Sequence, residues 1–215
     1  MESRKPGKGQ YSDNRSSEMR LYLVVTPDVL SRFTRLLSEG FRVYARADRT
    51  INDLLGQDLG VDEEYIDRRI QTIFLNGKAV DDIKSARISP ESSLALSAAM
   101  PGMVGSTFRK AGVFAGMRSQ ISHDSGTSMH HDGNIRITIK LFNLVAKELG
   151  PDLFQQGIWL KGKPLQDFIS ENLDYLKHEC KSLKLNEQII DINQLSNTDF
   201  TNISVFLKIM TPEDA

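Results

Sequence analysis

The chain has 215 residues, of which 40% are hydrophobic and 26% are charged, a composition typical of a globular protein with one large core or two small ones. Its 27 lysines and arginines nearly balance its 28 aspartates and glutamates. This balance predicts no nucleic-acid partner and no anionic membrane partner, because the chain as a whole produces no strong field and only a local patch could attract them.

A single cysteine, Cys180, excludes an internal disulfide and a thiolate cluster for zinc or iron–sulfur. We predict no cofactor. Residues 1–18 are polar and lack the apolar region of a secretory signal, and we interpret them as a disordered arm. No apolar run approaches the roughly 20 residues of a membrane span, so we expect a cytoplasmic protein.

One order of elements occurs twice, about 116 residues apart, with little shared residue identity. In the first copy, an alternating strand at residues 19–25 is followed by a short helical segment, by Gly40 and by a second strand at residues 41–45, which we expect to be antiparallel to the first. A helix then begins at Thr50, a good N-cap. The second copy matches with residues 135–141, Gly157, residues 158–161 and a helix from Pro164.

Each copy continues with further strands. Asn76-Gly77 predicts a tight hairpin, and residues 94–98 predict the last strand of the first copy. The second copy has a longer predicted helix whose apolar face runs from Leu165 to Leu183, and strands are predicted at residues 189–192 and 203–209. Cys180 lies on that apolar face, so we interpret it as a buried small hydrophobe and not as a reactive thiol.

Two strands, a helix and two further strands form the order of the ubiquitin-like β-grasp fold. The sequence resembles the sulfur-carrier proteins of that fold, which include the small subunit of molybdopterin synthase and the thiamine sulfur carrier. The matching pieces are residues 50–55 (TINDLL), residues 74–80 (FLNGKAV), the end of the last strand at Pro101-Gly102, residues 139–150 (IKLFNLVAKELG) and the second helix opening. The resemblance implies an α+β protein with two tandem β-grasp domains, residues 19–102 and 134–215, joined by residues 103–133.

Sulfur carriers act through a free C-terminal Gly-Gly, because adenylation requires an exposed carboxylate and small residues allow the tail to enter a narrow active site. Neither copy has this ending: the first continues past Gly102 and Gly105, and the second ends at Ala215. Proteolysis after Gly102 or Gly105 would make the chain the precursor of a sulfur carrier for molybdopterin or thiamine biosynthesis. The interpretation we take forward is a pair of binding domains without the carrier reaction.

Residues 101–122 combine four glycines and three basic residues with interleaved apolar residues and no acid. Their spacing does not match a phosphate-binding loop, but glycine amides beside arginines can bind an anion. One interpretation is a linker that docks its apolar residues on one domain while its charges face water. The other is an anion-, nucleotide- or partner-binding segment, whose site residues would be Gly105, Arg109, Lys110 and Arg118.

Five possible metal ligands lie near the polar connector, namely His123, Asp124, His130, His131 and Asp132. A flexible connector would impose a large ordering cost on a metal site, so we interpret these residues as solvated linker and predict no metal. No local signature of a nucleophile with its base is present, so we predict no catalytic residue and no enzyme.

Two features suggest where a partner could bind. Trp159, the only tryptophan, lies in a predicted strand, where it either packs in the core, which the residue type favours, or marks a contact surface. Residues 41–47, which contain Arg42 and Arg46, are interpreted as an edge strand that either pairs with a partner strand or uses its charges to prevent aggregation.

These expectations describe a non-catalytic binding or adaptor protein that engages a protein partner through ubiquitin-like surfaces. The resemblance links it to sulfur transfer or cofactor assembly. The two alternatives are the carrier precursor cleaved near Gly102 and an anion or nucleotide binder acting through residues 105–118. The oligomeric state is left open.

Overall fold

A computed structural model describes residues 18–99, 105, 108–110, 112 and 133–214. The strands are β1 (Glu18–Val25), β2 (Phe41–Arg46), β3 (Thr72–Leu75), β4 (Lys78–Ala79), β5 (Ser93–Ser97), β6 (Asn134–Phe142), β7 (Ile158–Lys161), β8 (Cys180–Leu185), β9 (Gln188–Ile189) and β10 (Ser204–Met210). The helices are α1 (Pro27–Phe33), α2 (Leu36–Glu39), α3 (Ile51–Asp53) with its π-helical continuation π1 (Leu54–Asp58), α4 (Glu63–Arg68), α5 (Asn143–Gln156), α6 (Gly162–Glu171), α7 (Leu173–Glu179) and α8 (Ile192–Ser196).

The ten described strands form one mixed sheet in the order β4-β3-β5-β6-β2-β7-β10-β1-β8-β9. Every strand of the first copy except β1 lies on one side of the sheet, together with β6. The two halves join where β2 pairs antiparallel with β7, with Phe41 opposite Leu160. The protein therefore has a mixed α/β fold with a single continuous sheet.

The first strands of the two copies have exchanged places. β6 lies between β5, to which it is parallel, and β2, to which it is antiparallel, with Ile139 opposite both Leu94 and Phe41. β1 lies parallel to β10 and antiparallel to β8, with Leu21 opposite Leu207. The predicted pairing of β1 with β2 is therefore wrong. Both first strands alternate apolar and polar residues, so the local pattern suits either position and long-range packing selects one.

The position of β2 also corrects a second prediction. Arg42 is opposite Thr138 of β6 on one side and opposite Trp159 of β7 on the other, so the start of β2 lies inside the sheet and not at its edge, whereas residues 43–46 pair with β6 alone. Among the described strands, β4 and β9 form the edges of the sheet.

One hydrophobic core serves both copies, in place of the two small cores that the repeat suggested. The buried side chains of the described residues form one contiguous cluster. Phe33 of α1 packs its ring 4.4 Å from the ring of Phe168 on α6 and 6.2 Å from that of Phe154 on α5, measured between centroids. These contacts cross from one copy to the other and do not separate two domains. The domain boundaries at residues 102 and 134 therefore stay predictions.

Several local predictions are confirmed. The Thr50 hydroxyl accepts a hydrogen bond from the Asp53 amide at 3.1 Å and so caps α3. The same hydroxyl donates to the Asp53 carboxylate at 2.7 Å, which lowers the pKa of Asp53. Asn76 and Gly77 form the turn between β3 and β4, both with positive φ. Gly157 ends α5 with a φ of 92°, as Gly40 ends α2 with 106°, so the same helix-to-strand turn recurs in both copies.

The long helix predicted to extend to Leu183 is shorter than expected. α6 ends at Glu171, α7 ends at Glu179, and Cys180 begins β8. Cys180 is partly buried, which raises the pKa of its thiol, and its Sγ donates a weak hydrogen bond to the Ser182 carbonyl at 3.3 Å. In the described part of the chain, no helix has both the length and the apolar character needed to cross a membrane.

Candidate functional site

The glycine-rich segment is described at only a few positions, and these pack against the first copy. Gly105 is buried, and the ring of Phe108 lies 5.3 Å from that of Phe74 on β3. The Lys110 amide donates a hydrogen bond to the Gln71 carbonyl at 2.7 Å. These contacts agree with the linker interpretation, in which apolar residues of the segment dock on one domain. Gly102 and Arg118 lie outside the described residues.

The Lys110 ammonium group does not face water, as the linker interpretation assumed. It donates to the Ile66 carbonyl at 2.8 Å and lies 3.8 Å from Asp67, with 14% of the side chain exposed. Burial lowers the pKa of Lys110. Lys110 therefore anchors the segment to the end of α4. Arg109 is exposed to solvent.

The next candidate is the group of possible metal ligands. Within the described ranges, no cluster of three or more histidine, cysteine, aspartate or glutamate residues could hold a metal ion. His123, Asp124, His130, His131 and Asp132 lie outside those ranges, so the predicted absence of a metal there stays a prediction.

The most distinctive surface of the described molecule is one face of the sheet. Along β10, Val205, Leu207 and Ile209 are fully buried, while the alternate residues are partly accessible. The same alternation holds along β1, β6 and β7, so the core and the helices lie on one face. We call the other side of β6, β2, β7, β10, β1 and β8 the open face, since no described helix buries it.

The open face is strongly basic. Eight of its residues are lysine or arginine and Glu18 is its only acidic residue among the described strand positions; the basic residues are Arg20, Arg42, Arg46, Arg136, Lys140, Lys161, Lys184 and Lys208. In a chain of formal net charge −1, the strand positions of this face therefore sum to +7. Two acidic residues from turns lie beside them, since Glu91 forms an ion pair with Arg136 and Glu187 lines the surface next to Lys184. Charge that is balanced overall is thus separated in space.

A row of cations and aromatic rings crosses the middle of the open face. Arg42 is opposite Trp159, Trp159 is opposite Phe206, and Phe206 is opposite Arg20, on the four adjacent strands β2, β7, β10 and β1. The Trp159 and Phe206 rings are 5.4 Å apart, and the Arg20 guanidinium carbon lies 5.4 Å from the centre of the Phe206 ring. We call these four residues the cation–aromatic row.

Neighbouring contacts hold this row in place. The tip of the Phe206 ring lies against Gly157, where a Cβ atom would lie only 2.2 Å from Cζ, so glycine is needed for the ring to occupy this position. Arg42 donates a hydrogen bond to the Ser204 hydroxyl at 3.1 Å. Trp159 is partly accessible and belongs to this surface, so the core position that its residue type favoured is not the one it adopts.

A second row lies next to the first. Tyr22 is opposite Lys208 on one side and opposite Lys184 on the other, and its ring is 6.2 Å from that of Phe206. A shallow depression of about 470 Å³ opens beside Tyr22, and its lining includes Lys184, Met210 and the acidic Glu187. We call Lys208, Tyr22 and Lys184 the tyrosine row. It combines an accessible ring, two flanking cations and space for a planar group.

A different cavity lies on the helix-covered side. Its volume is about 250 Å³, and its lining is mostly apolar, with Phe41 and Ile139 of the sheet and Leu149 of α5, together with the polar Asp62 and Asp152. It lies where π1 and α4 of the first copy meet α5 of the second.

Three polar residues connect the helices beside this cavity. The Tyr65 hydroxyl donates to Glu148 at 2.8 Å, and Arg69 forms an ion pair with the same carboxylate. Hydrogen bonds from Arg69 and Tyr65 lower the pKa of Glu148, while burial and the Glu148 charge raise that of Tyr65. The cluster joins α4 to α5 and hence the two copies.

The open face could have been detected in part from the sequence. In three strands, polar, basic and aromatic residues alternate with core residues, and side chains in a strand point to opposite faces in turn. This alternation alone places them on the face opposite the core, at positions 42, 44 and 46, at 136, 138 and 140, and at 206 and 208. The assembly of the cation–aromatic row depends on strand pairings that no local pattern specifies.

Comparison of the chain with family models, with curated proteins and with solved structures gave no match.

Proposed function

We propose that this protein is a non-catalytic binding protein that holds an acidic partner on its open face. The observation that carries this proposal is the separation of charge, with a sum of +7 at the strand positions of one face in a chain whose net charge is −1. A clustered field of one sign attracts an oppositely charged partner and speeds its association.

The titratable groups of the described residues support binding over catalysis. Those with displaced pKa values are engaged in structural contacts: Asp53 bonds to the helix cap Thr50, Lys110 anchors the glycine-rich segment, and Glu148 joins two helices. The aromatic rings and cations of the open face provide contact area and charge without an arranged acid and base.

The resemblance to sulfur carriers adds two proposals of narrower scope. An adaptor serving sulfur transfer or cofactor assembly would present the open face to an acidic protein. A carrier precursor would require cleavage near Gly102, and β6 would then be separated from the first copy although it lies between β2 and β5. The intact mass of the protein from its native cells decides between them, since a fragment ending at Gly102 or Gly105 is expected only for the precursor.

The anion-binding segment is the remaining alternative. Lys110 already donates to the Ile66 carbonyl, so an anion would have to compete with a contact inside the protein. An anion affinity that falls with Arg109→Ala would support this role for residues 105–118, and an unchanged affinity would exclude Arg109 from it.

A charge-reversal experiment tests the proposed function. We expect Lys184→Glu/Lys208→Glu to lower the salt concentration at which the protein elutes from immobilised heparin, a general polyanion, because two cations of the tyrosine row are replaced by acids. The matched control is Lys147→Glu/Lys177→Glu, which makes the same change in net charge at exposed residues of α5 and α7. Equal shifts for both variants, or no retention of the wild-type protein, would contradict the proposal. Unfolding midpoints confirm that the variants are folded.

A further inference from the structure

We infer that the acidic partner of the open face is a single-stranded nucleic acid whose bases stack on the cation–aromatic row and the tyrosine row. This inference rests on the proposed function and names the partner class of the same site. It departs from the expectation drawn from net charge, because a chain of net charge −1 places eight lysines and arginines and one glutamate at the strand positions of the open face.

The first argument is the combination of aromatic rings with cations. An acidic protein surface needs only cations, and a row of lysines would satisfy it. The open face instead holds three aromatic rings, with Phe206 lying 6.2 Å from Tyr22 and 5.4 Å from Trp159, measured between centroids. Aromatic rings beside basic residues are the means by which proteins bind unpaired bases, since each base has a face that can stack and each nucleotide has a phosphate.

The second argument is the geometry of the strands. The cation–aromatic row crosses four adjacent strands, so its ends are about 14 Å apart for strands separated by about 4.8 Å. Arg42 and Arg20 lie at the two ends with Trp159 and Phe206 between them. The Arg20 guanidinium lies over the Phe206 and Trp159 rings, so a short single-stranded segment running across the strands would stack its bases on the ring surface that Arg20 leaves accessible and place its phosphates beside Arg20 and Arg42.

The third argument is the form of the surface. The sheet face presents partly accessible rings whose planes are inclined by 63° for Tyr22 and Phe206 and by 58° for Trp159 and Phe206, so unpaired bases could stack on them one at a time. A duplex instead encloses its bases and offers phosphates along its grooves. The depression of about 470 Å³ beside Tyr22 adds space for a further base between Lys184 and Met210. We therefore expect single strands to bind more tightly than a duplex of the same length.

The experiment measures the fluorescence anisotropy of a fluorescein-labelled 12-nucleotide oligouridylate or oligothymidylate titrated with the full chain. Competitors are the unlabelled single strand, a 12-base-pair duplex, heparin and polyglutamate. Quenching of Trp159 is a second readout that is specific to the site, because the chain has one tryptophan.

We expect the single strands to bind with quenching of Trp159 and to be displaced poorly by duplex and polyglutamate. Phe206→Leu should weaken binding about 5-fold or more without changing its salt dependence, because a stacking surface is lost. Lys208→Gln should reduce the slope of log affinity against log salt by about 0.7, because one phosphate contact is lost. Should Phe206→Leu destabilise the fold, Tyr22→Leu tests the same stacking on the tyrosine row.

Matched controls come from the helical side. Tyr175 of α7 is 51% exposed and has the Arg32 guanidinium stacked 3.8 Å from its ring centre, which reproduces an aromatic–arginine pair away from the open face. Tyr175→Leu should leave binding unchanged. If heparin or polyglutamate bind as tightly as the oligonucleotides and Phe206→Leu has no effect, the nucleic-acid inference fails while the proposed function survives. If no polyanion binds, both fail.

Discussion

The two faces of β10 are made by alternate residues of one strand, yet they differ in burial and in charge. Val205, Leu207 and Ile209 are fully buried under the helices, whereas Phe206 and Lys208 on the open face remain partly accessible. The covered face excludes water and therefore supplies most of the stability. The open face carries charge and rings that add little to folding. Substitutions on the two faces should thus separate stability from binding.

The largest effect is expected on the covered side. Phe33→Ala should lower the free energy of unfolding by about 3–5 kcal/mol, because it empties a fully buried position. Phe33 contacts Phe154 and Phe168 across the two copies, so urea denaturation followed by circular dichroism should show one transition displaced as a whole.

A matched substitution on the open face completes that comparison. Tyr44 is 61% exposed, and Tyr44→Ala should change the free energy of unfolding by no more than about 0.5 kcal/mol. Two separate transitions, only one of them displaced by Phe33→Ala, would contradict a core shared by both copies.

A smaller effect is expected where the open face approaches the backbone. Gly157→Ala should cost about 1–3 kcal/mol, because its φ of 92° is strained for any L side chain and the new methyl group meets the Phe206 ring. Thermal unfolding measures the change. Gly60→Ala is the control, since Gly60 also has a positive φ but has no atom within 4 Å of the added Cβ. Equal costs at the two glycines would show that the Phe206 ring does not press on this turn.

Arg20→Gln tests how much the open face contributes to folding. The guanidinium lies over the Phe206 and Trp159 rings, and exposed contacts of this kind contribute about 0.5–1 kcal/mol. We expect a loss of stability no greater than that in urea denaturation, together with a change in the fluorescence of Trp159. A larger loss would mean that Arg20 is primarily structural and would weaken its assignment to binding.

The smallest effect concerns the cluster joining α4 to α5. Because Arg69 and Tyr65 lower the pKa of Glu148, its ionised form stabilises the folded state above the unfolded pKa of about 4.3, and this contribution is lost as the pH falls through the folded pKa. The difference in thermal midpoint between the wild type and Glu148→Gln should therefore be present at neutral pH and disappear in acid. Glu39→Gln, at an exposed site on α2, provides the baseline. A difference independent of pH would contradict this role for the ion pair.

Much of the local structure was predictable because it depends on residues close in sequence. The Asn76-Gly77 turn requires positive φ at two neighbouring positions, and the Thr50 cap bonds to an amide three residues away. The end of the long helix was missed, since the apolar spacing continues through Cys180 while the chain becomes strand β8 there. Pairing with β1 overrides the helical pattern at that point.

The sequence by itself determined the order of elements in each copy and the side of each strand on which cations and rings lie, because side-chain direction in a strand alternates with every residue. Only the tertiary structure decided that β1 and β6 exchange places, and hence that Arg42, Trp159, Phe206 and Arg20 become neighbours. The physical reason is that alternation is a local property, whereas strand pairing is selected by the packing of the whole core, in which two strands that begin 116 positions apart in sequence, at Glu18 and Asn134, compete for the same place.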